Sequence, residues 1–175
     1  YTQDEEFLVK RAIPFMLEAA TFYENVVVEV DGELQLSPSF SPENTPLGQK
    51  FPLSVNATMD VASIKELCRN LLSLEGRAEI PSERISIWKM ILEKLPKYRE
   101  SENGTFKEWL RDGIKENHAH RHASQLYPLF NEVDPEVAMS HDLQQACKKT
   151  IEEKLKIRRQ NRGGGMAFGL FQLAQ

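Results

Sequence analysis

The chain has 175 residues, 41% of them apolar, with 22 basic against 26 acidic side chains for a net charge of −4. That length fits one ordinary domain or a piece of a larger one, and that apolar fraction builds a core, which excludes a disordered chain. The mildly acidic balance argues against broad nucleic-acid binding, two cysteines are too few for a disulfide scaffold or a four-cysteine zinc site, and no run of about 18 apolar residues exists to span a membrane.

In chain order, Tyr1-Thr2-Gln3-Asp4-Glu5-Glu6 has neither the basic start nor the apolar stretch of a secretion signal, so the chain is cytosolic or its signal lies outside it. Residues 4 to about 28 read as a helix, because Phe7, Leu8, Ala12, Phe15, Met16, Ala19, Phe22 and Tyr23 recur at helical spacing. Pro14 should kink it or mark a join. The helix is expected to end between Asn25 and Val28 and to give way to a short hairpin turning at Asp31-Gly32. Residues 37 to 57 hold Pro38, Pro42, Pro46 and Pro52 and read as a long loop; Phe40, Leu47, Phe51 and Leu53 predict that it is ordered.

Residues 58 to 75 predict a helix with Thr58 as N-cap and Gly76 as its close. Residues 81 to 95 predict another, opened by Pro81 and stopped by Pro96. The stretch 97 to 118 is polar and irregular. A short helix is expected over His120 to Phe130 and a long one over 136 to 159, with Val137, Leu143, Ala146, Cys147, Ile151 and Leu155 inward. Gly163-Gly164-Gly165 breaks the chain before a last helix near Met166. The sum is a mainly α chain of five or six helices with long loops and one short β-hairpin. The chain stops inside the apolar stretch Phe168-Gly169-Leu170-Phe171, which leads us to expect a fragment.

Several clusters carry chemistry. In Ser37-Pro38-Ser39-Phe40-Ser41-Pro42-Glu43-Asn44 a carboxylate is held in a proline-stiffened loop, where it serves as a general acid or is simply an exposed loop glutamate. Phe106-Lys107-Glu108-Trp109-Leu110-Arg111-Asp112 sets two carboxylates around an aromatic whose face can stack on a sugar ring; the alternative puts Trp109 in the core. Glu108 and Asp112 stand four apart and share a face if the segment is helical. His118-Ala119-His120-Arg121-His122 offers three imidazoles that could hold zinc, but no H-E-x-x-H spacing is present, and a cluster for a polar ligand is the preferred reading. Lys148 to Arg162 is a basic run, read as a solvated helix face. No Gly-x-Ser-x-Gly elbow supports a serine hydrolase.

Singly these motifs are weak; their order is specific. Ile13-Pro14, Ser-Pro-Glu-Asn at 41–44, Thr58-Met59-Asp60, Glu-Trp-x-x-Asp at 108–112, His-Arg-His-x-Ser-x-Leu at 120–126 and the glycine triplet together resemble family 95 of the glycoside hydrolases, whose founding activity is α-L-fucosidase. The resemblance covers nearly the whole chain. It implies an (α/α)6 barrel of two concentric helical rings, of which residues 1–175 are roughly the second half of the catalytic domain. It implies inverting hydrolysis of a terminal α-linked L-fucose, or of a related sugar such as L-galactose. On this resemblance Glu43 matches the general acid, Asp112 the water-activating carboxylate, and His120, Arg121 and His122 positions near the sugar subsite; Trp109, whose ring can stack on a sugar, and Asn44 complete the candidates for contact with substrate. An inverting pair should stand roughly 6.5–9.5 Å apart, with Glu43 in apolar surroundings. No metal and no cofactor are implied. The implied partner is an oligosaccharide or glycan, with neither nucleic acid nor membrane, and the parent is expected to be exported to the periplasm or the exterior of a bacterium. The isolated chain is expected to be inactive and, through apolar barrel surface left uncovered, to form homo-oligomers.

Departures from the pattern are Gln125 where the family usually has a histidine, Phe130-Asn131 in place of Pro-Gly, and Met166-Ala167-Phe168-Gly169 in place of Thr-Gly-Trp-Ser. The family's paired asparagines have no counterpart in this chain. These departures keep open a non-catalytic domain of the same fold that binds glycan or protein. A plain helical interaction module is the remaining alternative, and it predicts Glu43 and Asp112 far apart.

Overall fold

The computed structural model describes residues 4–76 and 80–160. Helix begins at Asp4, whose carboxylate accepts from the Phe7 N–H as an N-cap. Helix α1 (Glu5–Phe7) passes through a π-helical segment, Leu8–Ala12, into α2 (Ile13–Val26). The kink expected at Pro14 takes this form. Proline has no N–H to return to the preceding turn and its ring crowds the carbonyl four residues back, so the ladder widens just before it.

Asp31-Gly32 turns β1 (Val27–Val30) into β2 (Glu33–Leu36), with Val27 opposite Leu36 and Val30 opposite Glu33. Both turn residues have positive φ, 53° and 85°, which is the backbone of the tight type I′ turn. The following loop is ordered, and it carries a second strand pair that the sequence reading lacks, β3 (Ser39–Phe40) with β4 (Leu53–Ser54). Two-residue strands leave no alternation to detect.

Helices α3 (Thr58–Leu72) and α4 (Ser82–Lys94) fall where expected. Thr58 is not a cap, however: it is already helical, and its hydroxyl donates to the Lys107 carbonyl at 2.6 Å. The predicted helix over His120–Phe130 is a shorter 3-10 turn, Ser124–Leu129, with Pro128 inside it. The predicted helix over 136–159 is two, α5 (Pro135–Ala138) and α6 (His141–Gln160). The Ser140 hydroxyl accepts from the Leu143 N–H and so caps α6, which starts the helix afresh. The glycine triplet and the helix expected near Met166 lie outside the described residues. Among the described residues the chain is thus mainly helical with two small antiparallel strand pairs. Among the described residues no helix is long and apolar enough to cross a membrane.

Two compact units result. One comprises residues 1–36 and 63–95 and buries Ile13, Ala20, Leu34, Ile64, Leu71, Trp88 and Ile91. Inside it the Glu24 carboxylate accepts from the Trp88 indole N–H and from the Arg84 guanidinium, both at 2.7 Å. The other comprises residues 37–62 and 96 onward and buries Val61, Phe106, Trp109, Leu110, Leu126, Val137 and Ala146. Its centre is the extended segment 106–110. The Leu110 N–H donates to the Asn56 carbonyl, the Thr58 N–H to Glu108, and the Phe106 N–H to the Thr150 hydroxyl of α6. Each unit holds one cysteine, Cys68 and Cys147, and burial pushes both thiols up to about 12, so neither is a nucleophile near neutral pH.

Candidate active site

All the candidate residues lie in the second unit. The Ser-Pro-Glu-Asn loop is anchored at both ends. Upstream, the Ser39 hydroxyl donates to Asp60 at 2.6 Å and accepts from the Ala57 N–H at 2.8 Å. Downstream, Asn44 and Asn117 exchange bonds across the chain: Asn44 Nδ2 donates to the Asn117 carbonyl, and Asn117 Nδ2 to that of Thr45, each at 3.0 Å. Between the anchors the Pro42 carbonyl accepts from the Ser124 hydroxyl and from His122 Nδ1. The loop is therefore tied to the His-Arg-His segment through its own backbone.

This construction leaves the Glu43 head outward. Its side chain is 57% exposed, and its Oε2 accepts from the Arg121 guanidinium. Among the described residues Glu43 pairs with the charged Arg121 rather than with an apolar wall, while the flanking Ser41 and Asn44 are buried. His120 and His122 stand edge to face, ring centres 5.0 Å apart. His120 Nδ1 accepts from the His122 N–H at 3.2 Å. Burial, reinforced by His122, Arg121 and Lys154, pushes His120 down to about 4, so it is neutral near pH 7. His118 is not part of this group; its Nε2 faces the Thr105 hydroxyl at 3.2 Å.

Glu43, His120 and His122 each bring one donor atom within 4.8 Å of the others, a different trio from the three histidines considered in the sequence. A dication there would compete with the Arg121 guanidinium, which already holds the carboxylate and lies 3.4 Å from His120 Nε2. The cluster presents a cation, a carboxylate and two imidazoles, and these suit a neutral polyhydroxylated ligand better than a metal.

The remaining candidates are placed differently. Asp112 is 86% exposed and pairs with Arg99 at 3.1 Å and Lys107 at 3.7 Å. Trp109 is 0% exposed and shows no free face, and Asn44 is buried with its amide engaged. Behind the exposed group lies a buried charged cluster, of which the motifs singled out Glu108 but not Glu116 or Lys154. Glu108 is 1% exposed, accepts from Ser41 and Asn44, and through its N–H donates to Glu116 Oε2 at 2.8 Å. Lys154, 0% exposed, donates to the His122 carbonyl at 2.7 Å and the His120 carbonyl at 3.5 Å. Burial raises Glu108, opposed by Lys154, Asn44 and Ser41. Burial lowers Lys154, opposed by Glu108. One signal for Lys154 was present: it continues the inward stripe Leu143, Cys147, Thr150 of α6, so a charged residue sits at a core position.

Burial also pushes Glu116 up to about 8. The folded chain therefore keeps a proton there that the unfolded chain, with an ordinary value of 4.5, has lost. Between those two pH values the folded state binds more protons, so this group's contribution to stability falls as pH rises from about 4.5 to about 8. Glu116→Gln, neutral at every pH, is expected to flatten that slope. Denaturation midpoints of both proteins across this window check it; parallel curves would mean that Glu116 is ionised in the fold.

Two comparisons bear on this arrangement. The family model described as the glycosyl hydrolase family 95 catalytic domain matches residues 1–175. The protein named Alpha-L-fucosidase 2, of Arabidopsis thaliana, is 33% identical over 160 residues, which cover 88% of this chain and 19% of that protein. The chain thus spans about a fifth of the length of the curated relative it matches.

Proposed function

The chain belongs to glycosyl hydrolase family 95, and from that premise we propose that the protein carrying it is an inverting exo-glycosidase that releases terminal α-L-fucose, or a related sugar such as L-galactose. Residues 1–175 are then part of one catalytic domain. Glu43 is the general acid. It is a carboxylate with a fixed backbone and an open head, and this is the observation that carries the reading. Its Oε2 is taken by Arg121, which leaves Oε1 to carry the proton to the departing glycosidic oxygen. Arg121, His120 and His122 surround that head and supply donors and acceptors for sugar hydroxyls.

Asp112 is the proposed second carboxylate, which activates water on the opposite face of the ring. Its exposure and its flanking cations, Arg99 and Lys107, leave it charged-partnered and reachable by solvent. Trp109 and Asn44 act from behind, since neither has free surface here.

The stereochemistry tests this reading. Proton NMR of the full-length protein acting on an aryl α-L-fucoside is expected to show the β-anomer of the free sugar first, with the α-anomer rising later by mutarotation. Early α-anomer overturns inversion. Sugar binding without turnover overturns the hydrolase and favours a non-catalytic domain of the same fold.

A further inference from the structure

Ser41 and Asn44 bracket Glu43, and both are buried. They converge on a single carboxylate: Ser41 Oγ donates to Glu108 Oε1 at 2.8 Å, and Asn44 Nδ2 donates to Glu108 Oε2 at 2.9 Å. Each oxygen of Glu108 thus holds one flank of the Pro42-Glu43 step. The orientation of the Asn44 amide is determined independently, because its Oδ1 accepts from the Thr45 N–H at 2.9 Å. Nδ2 must then face Glu108. Glu108 is itself immobilised through its own backbone, which donates to Glu116 and accepts from the Thr58 N–H at 3.0 Å.

A buried carboxylate is an expensive way to hold a loop; an apolar contact of the same volume does so without a desolvation penalty. What the carboxylate adds is direction, since two charge-assisted bonds fix two points on either side of one residue. We propose that Glu108 is a positioning residue that sets the reach of the Glu43 carboxyl toward the glycosidic oxygen, a role that rests on the reading of Glu43 as the acid. Lys154 extends the same device. Its ammonium holds the carbonyls of His122 and His120, and its charge favours the ionised form of Glu108. The acid-bearing loop and the His-Arg-His segment are therefore both referred to one buried charge cluster.

A misplaced acid has a kinetic signature that general weakening lacks. An α-L-fucosyl disaccharide departs as an alkoxide and needs the proton; α-L-fucosyl fluoride departs as fluoride and does not. In the full-length protein, Glu108→Ala is expected to lower kcat on the disaccharide about 10²-fold, the effect of roughly 1 Å of misplacement, and on the fluoride by no more than about a few-fold. Ser41→Ala, which removes one of the two anchors and keeps the buried charge, is expected to show the same selectivity at about tenfold, and it carries the test if Glu108→Ala does not fold. Equal losses on both substrates, or no loss on the disaccharide, overturn the positioning role. Glu43→Gln assayed alongside separates the two readings. Leaving-group dependence in Glu43→Gln without any in the Glu108 and Ser41 variants overturns positioning alone; its absence from Glu43→Gln overturns the acid assignment and the positioning role with it.

Discussion

Glu43→Gln in the full-length protein is expected to lower kcat on an α-L-fucosyl disaccharide by about 10²–10⁴-fold, the usual contribution of a positioned proton donor. Glutamine keeps the volume of the side chain and an oxygen that can still accept from Arg121, so the Glu43–Arg121 contact survives in neutral form. On the proposed role of Glu43 as the acid, what the variant loses is the proton for the leaving group. The interaction removed exists only in the transition state, so KM should stay near its wild-type value while kcat and kcat/KM fall together. Initial-rate kinetics over a range of disaccharide concentrations decide it. A raised KM with unchanged kcat would make Glu43 a binding residue and move the acid elsewhere. An unchanged rate would remove Glu43 from the chemistry altogether.

The parts of this fold that were legible in the sequence are those governed by local chemistry. Asp31-Gly32 can adopt two positive φ angles in succession, so it marks the hairpin turn. Pro81 and Pro96 bracket α4 because proline is tolerated at a helix start and not within it. The prolines around Glu43 mark a loop, Phe40, Leu47, Phe51 and Leu53 mark it as ordered, and the order of motifs along the chain points to the family that the comparisons show.

What escaped is set by partners distant in sequence. Glu108 and Asp112 share a face only if their segment is helical, and it is not: the Leu110 N–H is bonded to Asn56 and the Glu108 carbonyl to Thr58, which holds the segment extended and buries Glu108. The chain then turns at Gly113, whose φ is 77°, and Asp112 emerges into solvent. Thr58 looked like a cap because its hydroxyl was judged against its own helix; its acceptor is Lys107, far along the chain. Lys154 was grouped with a basic run, and charge counting hid its place on the inward stripe of α6. Buried charge is the feature that binary patterning handles worst, since it assigns each charged residue to the surface.

That buried lysine is where the largest stability effect is expected. Lys154→Met keeps the length and apolar stem of the side chain and removes the ammonium. Glu108 then loses the charge that opposes its burial, and the His122 carbonyl loses its 2.7 Å donor. Removing the donor from a buried carbonyl costs about 1–3 kcal/mol and more beside a charge, well beyond an ordinary surface substitution. The double variant Lys154→Met with Glu108→Gln should recover part of that loss, because the stranded charge is gone, although the lost carbonyl contact remains. Urea denaturation of the full-length proteins measures both. The pH dependence separates charge from contact. Without the ammonium, the carboxyls of Glu108 and Glu116 are held up further, and the folded state keeps protons that the unfolded chain sheds above its ordinary 4.5. More protons bound in the folded state means stability that declines as pH rises, so the deficit of Lys154→Met should be smaller near pH 5 than near pH 8. A deficit equal at the two ends would locate the effect in the carbonyl contacts to His120 and His122. A deficit that widens with pH would make Lys154 the counter-charge on which the clamp around Glu43 depends.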